Sequence, residues 1–200
     1  MDVKKILKKE ISIILSILML VTILSTNANA ITVNEVNSKL ISLMNQYVGT
    51  YWTTDGKPSN SSGSTSKYYY GIQCKGFAGF IFNEIFQGGY IGKYDSNKYY
   101  IPNPNNAREL GKYYGDSVNV TNISNLFSNG MPGDFIQVRR RGKTYGHSMI
   151  LVNKDSGGIT VFDCNSDGKC GVKKYYISYS TFVEKNIGVS LYRATNYEDV

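Results

Sequence analysis

The chain carries a single histidine, His147, and three cysteines, Cys74, Cys164 and Cys170. Cys74 lies in residues 72–86 (IQCKGFAGFIFNEIF), where Phe77, Phe80, Ile81 and Ile85 recur at helical spacing. That run reads as a helix from Lys75 with one buried stripe, and Cys74 sits at its N-terminal end. A thiol there faces unpaired backbone N–H groups and the positive end of the helix dipole. Both favour the thiolate, the nucleophilic form. The plainer alternative for such a cysteine is a small buried residue. Cys164 and Cys170 flank a turn-forming sequence, NSDGK over 165–169. A short loop can bring two Cα atoms within bridging distance, so these two are expected to form a disulfide and Cys74 to remain a free thiol.

A nucleophilic cysteine needs a base, and His147 is the only imidazole in the chain. Placed beside the thiol it would give a thiolate–imidazolium pair and would later protonate a leaving amine. A histidine base is normally oriented by a third polar group. Sixteen positions on, residues 159–165 read ITVFDCN. Side chains alternate along a strand, so Ile159, Val161, Asp163 and Asn165 share one face and Cys164 the other. Either Asp163 or Asn165 could orient the ring. The same stretch matches the first half of a calcium loop, but its twelfth position is Lys174 and not the bidentate Glu, so no metal is expected.

The elements that must hold these residues follow in chain order. Thr32 and Glu35 form a capping-box pattern. Val33, Val36, Leu40, Leu43 and Tyr47 then mark one helical face, and Gly49 ends it. Residues 50–71 read as a long loop in which Trp52, the one tryptophan, packs. Residues 88–106 are irregular, with Pro102 and Pro104. A short helix is expected over 105–113 and a helical turn over 123–127. Pro132, Gly133 and Asp134 then make a turn. Strands are expected over 135–138, 145–152, 159–164, 173–179 and 189–194, with residues 139–144 a basic hairpin tip of solvated charge. Helices first and an antiparallel sheet afterwards define an α+β protein.

A chain of 200 residues fits one domain preceded by a targeting segment. Lys4, Lys5, Lys8 and Lys9 precede an apolar run over 11–24, and Ala28 and Ala30 make a small-x-small cleavage site. Residues 1–30 therefore read as a secretory signal peptide, and residues 31–200 as the domain, with no lipid anchor and no membrane anchor after cleavage. Cleavage would remove four lysines, Asp2 and Glu10 and take the formal charge from +7 to +5, which suits an anionic surface such as a bacterial wall. A secreted chain with no recognisable nucleic-acid motif argues against nucleic acid as partner.

Gln73-Cys74 opening a helix, Pro132-Gly133-Asp134 opening a strand, Gly146-His147 before an apolar strand, and Asp163-x-Asn165, in that order, resemble a CHAP domain. This is the cysteine- and histidine-dependent amidohydrolase/peptidase family of the papain-like, NlpC-related clan, and the resemblance covers about residues 68–195. It implies N-terminal helices packed on a C-terminal antiparallel sheet, Cys74 as nucleophile and His147 as base. Asp163 would then be the partner of His147, standing where the family more often has Glu, and Asn165 a second polar contact. The Cys74 backbone N–H and the Gln73 side chain would hold the oxyanion. It implies a secreted, cofactor-independent monomer cleaving amide bonds in peptidoglycan peptides. The alternatives are another amide substrate, or a non-catalytic wall-binding domain. The calcium site of some CHAP members is not carried over, because residues 59–73 contain no acidic residue.

Overall fold

Thr32 starts the first helix, α1 (Val33–Tyr47), with a complete capping box. The Glu35 N–H donates to Thr32 Oγ1 at 3.3 Å, and the Thr32 N–H donates to Glu35 Oε2 at 2.8 Å. The computed structural model describes residues 30–52, 58–59, 73–87, 93–94, 100–101, 106–166 and 168–198. The secretory segment expected over 1–30, save Ala30, and much of the loops expected over 50–71 and 88–106 lie outside them. Residues 31–200 form one unit.

After α1 come the two-residue strands β1 (Tyr51–Trp52) and β2 (Pro58–Ser59), which pair with each other. Helix α2 (Gln73–Phe86) follows, then a second small pair, β3 (Lys93–Tyr94) and β4 (Tyr100–Ile101). The main sheet is built from β5 (Ala107–Tyr114), β6 (Phe135–Arg140), β7 (Gly146–Lys154), β8 (Gly158–Cys164), β9 (Val172–Ser178) and β10 (Asn186–Ala194). Helix α3 (Val120–Ser128) lies between β5 and β6, and α4 (Tyr179–Lys185) between β9 and β10. The order β5-β10-β6-β7-β8-β9 is antiparallel throughout. The protein is thus α+β.

Helices cover both faces of the sheet. Residues of α1 and α2 pack with Phe135, Ile150, Phe162 and Val172 on one face. Residues of α3 and α4 pack with Val138, Met149, Val161 and Leu191 on the other. Alternation along each strand supplies both sets. Phe77, Ile81 and Phe162 are wholly buried, and each such side chain stabilises the fold by roughly 1.5–3 kcal/mol. Phe77 meets Phe162 edge-on at 5.0 Å and Trp52 at 5.4 Å, so this packing seats α2 on β8. Trp52 is a packing residue.

Two expectations change here. The segment expected to be helical over 105–113 is strand β5, zipped to β10 from Ala107↔Ala194 to Tyr114↔Gly188. Pairing with a buried neighbour strand outweighs a weak local helical preference. The final crossover contains α4, which carries the chain from the β9 edge over the sheet to β10. Its seven residues sit between the two strands expected over 173–179 and 189–194.

The turn before β6 is rigid. Gly133 has φ +89°, and a Cβ there would lie 2.8 Å from Val36 and 3.0 Å from Phe86. Asp134 is buried, accepts from the Met131 N–H at 2.8 Å, and holds Arg193 through Nε at 3.0 Å and Nη2 at 2.8 Å. The Pro132-Gly133-Asp134 sequence is therefore an anchor for β6, the strand that pairs with β7.

Candidate active site

Cys74 is the second residue of α2 and is partly exposed. Gln73, directly before it, has φ 52°, a left-handed conformation that costs a non-glycine residue strain. The first N–H groups of a helix have no partner within it, so the thiol sits among backbone donors. Among the described cysteines Cys74 is a free thiol.

His147 is the second residue of β7 and is buried, 4% exposed. Gly146 before it must be glycine: a Cβ there would lie 2.4 Å from the Val138 carbonyl oxygen. His147 shares a sheet face with Met149 and Leu151. Its Nε2 meets Asp163 Oδ2 in a short hydrogen bond. The ring nitrogen left for Cys74, with which His147 also hydrogen-bonds, is Nδ1. The next residue, Ser148, points to the other face of β7, where its Oγ donates to Gln137 Oε1 at 2.6 Å, a buried bond across β6 and β7.

Burial pushes the Cys74 thiol up. The charge and hydrogen bond of His147, joined by a hydrogen bond from the Ser148 backbone N–H, outweigh burial and the opposing charge of Asp163, and the net shift is downward. For His147, burial opposes the imidazolium. The Cys74 charge, the Asp163 hydrogen bond, the Cys74 hydrogen bond and the Asp163 charge overcome it and raise the ring to about 9. Both shifts run in the direction that favours a thiolate–imidazolium pair.

Asp163 is fully buried at the end of β8. Its Oδ2 accepts a second hydrogen bond, from the Tyr175 hydroxyl at 2.7 Å. Its Oδ1 has no hydrogen-bond partner among the described residues. Burial, reinforced by the Asp163 charge, pushes the Tyr175 phenol far up, so Tyr175 stays a donor. Tyr175 was not singled out from the sequence. It lies on β9 opposite Val161, one diagonal from Asp163 on the same face, and only the strand register reveals that.

Asn165 is not brought to the ring. It follows the end of β8 with φ 68°, which breaks the alternation that would have placed it beside Asp163. Its Oδ1 accepts from the Cys170 N–H at 2.9 Å, and its own N–H donates to the Gly171 carbonyl at 3.0 Å. The expected Cys164–Cys170 disulfide is also absent, and both residues are thiols. Cys164 stands opposite Val172 in the ladder, two positions beyond Cys170. The Asn165 bonds close this turn, with no sulfur bridge.

Gln73 is partly exposed at the same helix start as the Cys74 N–H. Beside His147, on the α4 face of the sheet, a cavity of about 350 Å³ opens over Val138, Met149 and Phe182. Among the described residues no group of three or more His, Cys, Asp or Glu side chains is placed to hold a metal ion. No helix among them is long and apolar enough to cross a membrane.

No protein-family model matches the chain, and no curated protein matches it. Among solved structures it is similar to the crystal structure of Ly7917, at 18% identity and TM-score 0.41. It is also similar to Ly7917 with the hydrolyzing product of MDP, at 16% identity and TM-score 0.42. In both cases 80% of this chain is covered, and it spans 62% of the length of the structure it matches.

Proposed function

We propose that this chain is a secreted cysteine amidohydrolase or peptidase of the CHAP kind, within the papain-like clan, acting on peptide amide bonds of peptidoglycan. The observation that carries the reading is the chain of contacts from Cys74 through His147 to buried Asp163. The Cys74 thiolate attacks the amide carbonyl carbon, and the oxyanion is held by the Cys74 backbone N–H together with the Gln73 side chain. As the C–N bond breaks, the His147 imidazolium gives its proton to the leaving amine. A thioester to Cys74 remains. Neutral His147 then takes a proton from water, the hydroxide attacks the thioester, and the acid leaves with Cys74 regenerated. Asp163 stabilises the imidazolium and fixes the ring, and Tyr175 fixes Asp163. The substrate class rests on the CHAP resemblance of the motifs around Cys74, Asp134, His147 and Asp163 and on the basic charge.

The test is digestion of purified peptidoglycan, with the released fragments identified by mass spectrometry. New amine and carboxyl ends at one peptide bond, absent with Cys74→Ala, are the expected result. Intact peptidoglycan, or release that survives Cys74→Ala, would overturn the reading.

A further inference from the structure

Cys74 and His147 come from opposite faces of the main sheet. Helix α2 packs on the face of Phe135, Ile150 and Phe162, and His147 shares the other face with Met149 and Leu151. The strand register locates their meeting point. Leu151 donates its N–H to the Asp134 carbonyl at 2.8 Å and accepts from the Gly133 N–H at 2.8 Å, so its backbone groups face the β6 side. Backbone groups alternate along an antiparallel strand, so those of Ser148 and Ile150 face the β8 side. The β7–β8 ladder starts at Lys154↔Ile159, and its last rung toward the site is Ile150↔Phe162. Ser148, the next residue whose N–H faces β8, lies beyond that rung. Its N–H is bonded instead to the Cys74 sulfur. The thiol carried by α2 thus reaches the His147 ring where β7 and β8 part.

Ser148 is also held by its side chain. It stands opposite Gln137 in the β6–β7 ladder, and both residues are buried on the face that carries α2. Ser148 Oγ donates to Gln137 Oε1 at 2.6 Å, and Gln137 Nε2 donates to the Val138 carbonyl at 3.2 Å. These bonds fix Ser148 and with it the direction of its peptide N–H. We infer that the Ser148 peptide N–H is a catalytic group of the proposed reaction, on which this role rests: it holds the Cys74 sulfur as thiolate before attack and receives it again when the thioester breaks, with Gln137 as its positioning residue. In that second half-reaction a water proton passes to His147 and the water oxygen bonds to the acyl carbon. The C–S bond then breaks, and its electron pair returns to Cys74 Sγ. The charge arriving on sulfur meets the Ser148 N–H and the His147 imidazolium. An N–H bonds a thiolate more strongly than a neutral sulfur, so this donor lowers the thiol pKa and eases departure of the sulfur.

Removing the N–H alone tests this without turnover. The full chain carrying Ser148→Ala is compared with the same chain carrying lactic acid at position 148, which replaces the amide N–H by an ester oxygen. Thermal melts show that both are folded. The readout is the rate of Cys74 alkylation by iodoacetamide against pH, with the label located by peptide mass because Cys164 and Cys170 are also thiols. The ester should raise the midpoint of Cys74 labelling by roughly one to two pH units above that of Ser148→Ala, the value of a hydrogen bond to a charged group. Gln137→Met, which removes the acceptor for Ser148 Oγ, should raise the midpoint by less. It should add nothing to Ser148→Ala, since both changes break one bond. A midpoint that the ester leaves in place or lowers would overturn the role of the N–H. A wild-type midpoint in Gln137→Met would overturn the role of Gln137. A protein whose labelling shifts as expected but which hydrolyses nothing would remove the proposed activity and leave the thiolate donor. Hydrolysis with a labelling midpoint indifferent to the ester would do the reverse.

Discussion

Asp163→Asn keeps the shape of the side chain and removes its charge. Asp163 is fully buried and touches His147 Nε2 and the Tyr175 hydroxyl through one oxygen. Its hydrogen bond and its charge both help hold His147 at about 9 against burial. Cys74 supplies the rest, so the substitution should remove only part of the shift above the ordinary histidine value, roughly one unit or more, or about 1.4 kcal/mol of imidazolium stabilisation per unit. The amide also places an NH2 where Oδ1 had no partner, and a buried unpaired donor costs about 1–3 kcal/mol. Turnover should fall by roughly 10²–10⁴, since the general acid is both less charged and less well oriented. The sign follows from which form works. Cleavage needs His147 protonated, so activity is lost as pH rises through its pKa, and lowering that pKa moves the alkaline limb to lower pH. The assay is kcat/KM against pH for both proteins on one peptide substrate. An alkaline limb that stays near pH 9 in Asp163→Asn, with turnover intact, would refute the role given to Asp163.

Three further outcomes follow from the same geometry. Tyr175→Phe should destabilise the fold by about 1–3 kcal/mol, read as a lower urea midpoint, and should reduce kcat less than Asp163→Asn does, because the carboxylate keeps its charge but loses one donor. Asn165→Ala should cost about 1 kcal/mol through the lost bond to the Cys170 N–H and leave both limbs of the pH–rate profile in place, and a shifted limb would return Asn165 to the ring. A thiol reductant should leave the melting temperature unchanged, since Cys164 and Cys170 are not bridged, whereas a fall of several degrees would reveal a disulfide.

Much of this arrangement is legible where local chemistry decides it. Thr32 and Glu35 announce the first helix, and their reciprocal bonds are present. The Phe77, Ile81 and Ile85 stripe announces α2, and those residues are buried. The β6–β9 meander follows from alternation punctuated by glycine and asparagine turns. What is not legible depends on contacts between distant segments. The β5 strand owes its conformation to β10, some eighty positions away, and α4 is too short for its period to stand out between two strands. Asn165 is misplaced by alternation because one left-handed residue ends the strand at Cys164. Tyr175 escapes notice because its nearness to Asp163 is a property of the β8–β9 register, and nothing near Tyr175 in the chain signals it.

The pairing of Cys74 with His147 is open to direct measurement because the chain has one histidine. Every imidazole resonance in an NMR pH titration belongs to His147. Its midpoint is expected at about 9 in the wild-type protein, and well below that in Cys74→Ala, where the thiolate that supports the charge is gone. A wild-type midpoint near the ordinary histidine value, about 6.5, or one that Cys74→Ala does not move, would contradict a thiolate–imidazolium pair at this site.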